Sequence, residues 1–229
     1  MPAFDYHLHS ENIGETISTA KQLGFSGICL VSNWANIQDI EKFKAAILPY
    51  KKQIDISIGI EIKDKPNKIP HIVESIRQKA EIILVHGGEL EANRVAVETP
   101  GVDILLHPEM GREDSGIDHV MARLAKKSNV AIEFSLNDLI QSSKETRAKI
   151  IRGLVENAKL IKKYKAPFVL TSGAFGAFGL RSPSELFSFG KVLGFQDKEI
   201  KLSLSDFIIK ENRKRLSGKW VMPGVELTE

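Results

Sequence analysis

The chain has 229 residues, 42% hydrophobic and 27% charged, and its 32 basic and 29 acidic side chains leave a net charge of +3. That length and apolar content suit one sizeable core and exclude a disordered chain or a disulfide-built miniature. The single cysteine, Cys29 in the apolar run GICLV, reads as a buried small hydrophobe in a reducing compartment; no run approaches the roughly 20 apolar residues of a membrane span and no leader pattern opens the chain, so a cytoplasmic location is expected.

The run FDYHLH from Phe4 is the first predicted strand. Asn12, with Glu15 three residues on and Gly24 as a stop, brackets the first helix. SGICLV is the second strand, and Asn36 opens a helix that runs to about Pro49 and Tyr50. IDISIGIEI is the third strand, followed by a helix from Asn67 through KIPHIVESIRQKA. EIILVH and VDILLH are strands four and five. Ser115 precedes the helix GIDHVMARLAKK, VAIEF is strand six, and Glu145 to Tyr164 is the longest helix. PFVLTS is strand seven, and Ser182 with Pro183 and Glu185 forms a capping box. Strands this apolar are covered on both faces, and strand-then-helix repetition implies parallel strands with right-handed crossovers. Seven repeats and no dinucleotide fingerprint favour a TIM-barrel-like (β/α) barrel of about seven parallel strands over an open sheet. Residues 1–216 form one domain. Residues 217–229 form a tail that either docks through Trp220 and Val221 or frays.

Function in such barrels sits at the C-terminal ends of the strands. Strand one ends in His7 and His9, and a period of two puts Asp5, His7 and His9 on one face, taken as the barrel interior. Strand two ends with Asn33 and Trp34, and strand three carries Glu61. His86 ends strand four, His107 and Glu109 end strand five, Glu133 lies in strand six, and TSGAFGAFGLR closes strand seven. Any one of these alone reads as a hydrogen-bonded structural group. Together they look like the remains of a polynuclear metal site.

The segment order resembles the PHP family of metal-dependent phosphoesterases, which open with a His-x-His strand. Two of that family's ligand segments are altered here, to Ser32-Asn33-Trp34 and Ser172-Gly173-Ala174-Phe175. An amide, an indole, a glycine and a phenyl ring are poor ligands for a divalent ion. The chain also resembles the archaeal and eukaryotic ribonuclease P protein component 3 family, a PHP-like barrel without the metal machinery. The marks are Asp5-Tyr6-His7-Leu8-His9, the degenerate strand-two end, and Ser172-Gly173-Ala174 followed by Leu180-Arg181-Ser182-Pro183.

That resemblance implies a subunit supporting the catalytic RNA that removes the 5′ leader of precursor tRNA. The implied partners are ribonuclease P RNA, precursor tRNA within the complex, and other protein subunits, protein component 2 first among them. No metal or cofactor is expected on this chain, and Mg²⁺ belongs to the RNA subunit. Asp5, His7, His9, Glu61, His86 and His107 then form a polar pocket, a degenerate metal site with no catalytic role. Basic residues offer a check, since arginines on loops suit phosphate forks. Arg94, Arg112 and Arg181 follow strands four, five and seven and are expected on one rim. His119 starts helix five, Lys127 ends it, and Lys163 lies late in the longest helix. Phe175, Phe178, Phe187 and Phe189 are one candidate partner surface on apolar grounds. The competing reading is an active phosphoesterase with a reduced metal site at His7, His9, Glu61, His86 and His107.

Overall fold

A computed structural model describes residues 2–217 and the backbone of two short strands, 220–222 and 225–226. Seven parallel strands follow one another around a curled sheet in chain order: β1 (Phe4–His9), β2 (Gly27–Asn33), β3 (Asp55–Ile62), β4 (Ile82–His86), β5 (Ile104–Leu106), β6 (Ala131–Ser135) and β7 (Phe168–Thr171). Two residues beyond β7 the chain forms β8 (Ala174–Phe175), which pairs with the free side of β1, Leu8 opposite Ala174 and His9 opposite Phe175. The sheet is thereby brought round on itself, the TIM-barrel-like closure expected from the repeat count.

Alternation sorts the side chains into two apolar layers. Outward residues such as Ile28, Leu30, Ile58, Ile60, Ile83 and Phe134 pack under the helices. Inward residues Tyr6, Cys29, Val31, Leu84, Leu106 and Val169 fill the barrel. The covering helices are α1 (Ile13–Gln22), α2 (Ile37–Ile47), α3 (Ile69–Ile76), α4 (Leu90–Glu98), α5 (His119–Ser128), α6 (Leu136–Gln141), α7 (Lys144–Tyr164), α8 (Pro183–Val192), α9 (Asp197–Ser203) and α10 (Phe207–Leu216). Asn12 and Asn36 cap α1 and α2, and Ser182 with Glu185 forms the expected capping box on α8.

Several expectations are corrected. Asn67 caps nothing: it lies in a 3₁₀ turn, Pro66–Lys68, and α3 begins after it, with Pro70 in a first turn where a missing N–H costs little. The fifth helix starts at His119 under Asp118, whose carboxylate accepts from the Met121 N–H at 2.8 Å, whereas Ser115 donates to Ile117 O. In β1 the register shifts between Asp5 and Leu8. Phe4 and Tyr6 lie in the inner layer and Leu8 in the outer one. The period of two is broken, so Asp5 does not share the face of His7 and His9. Its carboxylate instead accepts the Ser172 N–H at 3.1 and 3.2 Å, tying β1 to the end of β7.

The barrel floor is sealed by α10. Ile208 and Ile209 complete the inner layer, and Tyr6 donates its hydroxyl to Ser205 O at 2.7 Å. Arg77 forks onto Asp103 at 2.6 and 3.1 Å, with Asn212 of α10 bonded to both. Arg213 reaches Asp55 at 2.8 Å and Glu81 at 3.1 Å. Within the basic run KENRKRL, Arg213 thus acts as a clamp between α10 and the strand starts. The side chains of Trp220 and Val221 lie outside the described residues; the backbone there pairs antiparallel with 225–226.

Candidate functional site

The mouth of the barrel gathers four imidazoles around two buried glutamates. On one side, Glu133 of β6 accepts from His7 Nδ1 at 2.7 Å, from Thr171 Oγ1 at 2.6 Å and from the His107 backbone N–H at 3.3 Å. His107 Nδ1 lies 3.3 Å from the same carboxylate and 2.6 Å from Asp138 Oδ2 at the start of α6. On the other side, Glu61 of β3 meets His9 Nε2 at 2.9 Å and His86 Nδ1 at 2.6 Å. The two halves touch where His7 Nε2 faces His9 Nε2 at 3.3 Å. His7 Nδ1 faces Glu133, while its Nε2 shares the neighbourhood of His9 Nε2 with the Glu61 carboxylate. His107 sits at φ 44°, a left-handed backbone held by its contacts to Glu133 and Asp138.

Electrostatics follow from this pairing. Burial opposes a proton on His107, but Glu133 and Asp138 outweigh it and carry its pKa up to about 10. Burial also opposes ionisation of Glu133, yet His7 and His107 hold its carboxyl down at about 2. Glu61 is likewise held low, by His86 and His9 against its burial. Asp5 is pushed up to about 6 by burial. Glu109, two residues beyond His107, is pushed up to about 8 by burial, and its Oε2 has no hydrogen-bond partner among the described residues. Gly153 of α7 permits that packing, since a Cβ there would fall 2.7 Å from Glu109 Cβ.

These shifts set a pH profile. The Glu109 contribution to stability is complete below its ordinary 4.5 and is lost as pH rises through 8. That of His107 is complete below 6.5 and is lost as pH rises through 10. Glu133 acts oppositely, contributing above 4.5 and losing its contribution as pH falls toward 2. The unfolding temperature should therefore fall between pH 5 and pH 9. Glu109→Gln should make the profile shallower between 4.5 and 8, leaving the fall that Asp5 contributes up to about 6 and the one His107 contributes above 6.5. Melting curves at pH 5, 7 and 9 check this, and parallel profiles for parent and variant would refute it.

Two sets of donor atoms are close enough to share an ion: His7, His9 and Glu61, and His7, His107 and Glu133, each within 4.8 Å. Both sets include His7, and among the described residues no third set of three donor groups lies this close. Asn33 lines the neighbouring groove, Trp34 packs against the outer core, and Phe175 lies flat on His9, ring centroids 5.0 Å apart and planes at 9°.

Of the six expected pocket residues, His7, His9, Glu61, His86 and His107 converge and Asp5 does not. Glu133 and Asp138 take its place. Alternation along AIEFS already turns Glu133 inward with Ala131, whereas nothing local marks Asp138, which reaches the mouth only because α6 starts directly after β6.

The expected RNA-binding residues divide between the two ends. Arg112 and Arg181 stand on mouth loops, and His119 opens α5 there. Arg112 is half-buried, forked onto Asp114 at 2.6 and 2.7 Å and bonded to Gly88 O at 3.2 Å, so it braces its own loop. Arg181 donates to Phe178 O and Leu180 O at 3.1 and 2.7 Å. Arg94 is not on the rim: it lies mid-helix in α4 and pairs with Glu98 at 3.2 Å. Lys127 and Lys163 lie in the last turns of α5 and α7, at the opposite end. Arg123 over the Tyr164 ring at 5.2 Å joins those two helix ends. The phenylalanine surface also shrinks. Phe189 is buried and Phe187 packs on the core, because α8 turns Leu186, Phe189 and Gly190 inward.

Curled parallel sheet, outer helices and a self-paired histidine–carboxylate cluster at the C-terminal mouth define a TIM-barrel-like protein. The family described as RNase P subunit p30 matches residues 2–216, and the chain belongs to that family. Ribonuclease P protein component 3 of Methanosarcina mazei is 34% identical over 235 positions, covering 99% of this chain and 95% of the relative. The protein of the same description from Methanococcoides burtonii is 36% identical over 217 positions, covering 94% and 87%. A chain in the cryo-EM structure of archaeal ribonuclease P with mature tRNA superposes with a TM-score of 0.84 at 30% identity, over 98% of each chain.

Proposed function

We propose that this chain acts as a protein subunit of ribonuclease P, supporting removal of the 5′ leader from precursor tRNA through RNA binding and assembly. The observation that carries the reading is likeness along the whole chain, in sequence and in fold, to a chain of archaeal ribonuclease P with tRNA. The mouth supports a non-catalytic role, since its imidazoles and carboxylates are engaged with one another. No metal is proposed on this chain, and the phosphodiester chemistry is assigned to the RNA subunit with Mg²⁺. Basic side chains at both ends, Arg181 with His119 above and Lys127 with Lys163 below, are the proposed phosphate contacts. Another protein subunit, of the component 2 type, is the proposed protein neighbour, to be tested by co-purification.

Reconstitution tests the reading. Precursor tRNA cleavage by ribonuclease P RNA with the other protein subunits should rise when the full chain is added. The isolated chain should hydrolyse no phosphoester and carry only substoichiometric zinc or manganese by elemental analysis. One equivalent of either metal, with phosphatase turnover lost in His9→Ala, would establish the phosphoesterase instead.

A further inference from the structure

Eleven phenylalanines occur in the chain, and among the described residues only two are exposed: Phe175 at 75% and Phe178 at 92%. Both stand on the turn that follows β7, and that turn is fixed. Phe175 is paired to β1, and Gly176, at φ 78°, donates its N–H to His9 O at 2.7 Å. Leu180 N–H closes onto Ala177 O, and the Arg181 guanidinium holds Phe178 O and Leu180 O. A rigid backbone therefore holds two apolar rings in water, at a mouth where every other phenylalanine has found the core. Preorganised exposed aromatics of this kind are what partners bind.

The surroundings specify the partner. One face of Phe175 already stacks on His9. Beside the rings runs a groove of about 640 Å³ walled by His9, Asn12, Glu15, Ser32 and Asn33. Its walls offer hydrogen-bond donors and acceptors and two carboxylates, Glu11 and Glu15, which keep an anion out, and no lysine or arginine; Arg181 stands on the loop that carries Phe178. A flat, uncharged group with a hydrogen-bonding edge fits the groove, with its anionic part outside, toward Arg181. An unpaired nucleobase attached to its phosphate has that distribution, and aromatic side chains bind such bases by stacking. We infer that Phe178, with Phe175, forms a stacking platform for an unpaired base of the RNA this subunit holds. The inference rests on the RNA-binding role proposed above and adds which part of the nucleotide this end of the barrel takes.

The test uses the full chain and ribonuclease P RNA. Phe178→Ala should lower RNA affinity roughly 5- to 150-fold, the equivalent of about 1–3 kcal/mol for one stacked base. Stacking carries no counterion release, so the slope of log K against log salt should stay parental while the intercept drops. Phe178→Trp should restore binding. Chemical probing should find an unpaired base protected by the parent and exposed with Phe178→Ala. Circular dichroism melts confirm that the variant folds, and Phe175→Ala is the second probe. Parental affinity and protection in both alanine variants would overturn the platform, and if Lys127→Ala with Lys163→Ala still weakens binding, the RNA role itself stands. If neither the aromatic nor the lysine variants change affinity, the RNA role fails with it. Unchanged RNA affinity with lost co-purification of another protein subunit would make the rings a protein contact and also overturn the inference.

Discussion

Replacing Glu133 by Ala should lower the stability of the folded chain by about 3–5 kcal/mol, the usual consequence of removing one partner from a buried charge pair. Glu133 is wholly buried at the level of its side chain, and it is the one acceptor shared by His7, the His107 N–H and Thr171. Without it the His107 imidazolium keeps only Asp138, and a left-handed backbone loses one of its anchors. For a chain of this length the melting temperature should fall roughly 6–20 °C. Urea denaturation gives the free energy directly, with an unchanged m-value showing that the denatured state is not the cause. The contrast is Glu98→Ala, which breaks the exposed pair with Arg94 and should cost less than about 1 kcal/mol. A Glu133→Ala protein within 1 kcal/mol of the parent would mean that the cluster does not hold the mouth together.

Lys127→Ala combined with Lys163→Ala should reduce affinity for ribonuclease P RNA roughly 30-fold at 0.1 M salt, converging with the parent near 1 M. The figure follows from a loss of about 0.7–0.9 in salt slope per phosphate contact removed. Both lysines are exposed and neither has a carboxylate partner at salt-bridge distance among the described residues; Lys163 lies over the Tyr164 ring at 5.4 Å, a contact that a phosphate can displace. Arg112 is a poorer probe, because Arg112→Ala also releases the Asp114 fork and the Gly88 carbonyl, and a loss of binding there would confound loop collapse with phosphate contact. Arg181→Ala at the mouth should add to the lysine pair independently, since no shared partner links the two ends. Lys21→Ala on α1 is the control. An unchanged salt slope for the double variant would place the RNA-binding face elsewhere.

The strands were legible because each is an apolar run with its own turn chemistry, and the caps at Asn12, Asn36 and Ser182 because a side-chain acceptor three residues before a free N–H is a local event. What depends on the far side of the barrel was not legible. Glu133 stands out in AIEFS as an inward carboxylate, but its position as the hub for His7 and His107 arises only when β1, β5 and β6 curl to face one another. Asp5 leaves the face of His7 and His9 for a related reason. A bulge in β1 has no signature in FDYHLH, and one shifted residue sends a side chain to the other face. Residue type alone marks Phe187 and Phe189 as apolar, whereas the phase of α8 decides which rings reach water.

The closure of the barrel also has a consequence for how the chain is made. β1 leaves the ribosome first, yet its second neighbour, β8, lies near residue 174, and the Arg213–Asp55 clamp joins residues 158 positions apart. Until the last helix emerges, β1 presents an unpaired edge and the floor stands open over the inner apolar layer. Topologies that depend on such distant pairings fold slowly, and their half-made forms are prone to aggregate. A nascent chain stalled before residue 207 should therefore remain protease-sensitive throughout its length, with protection appearing in one step once α10 clears the exit tunnel.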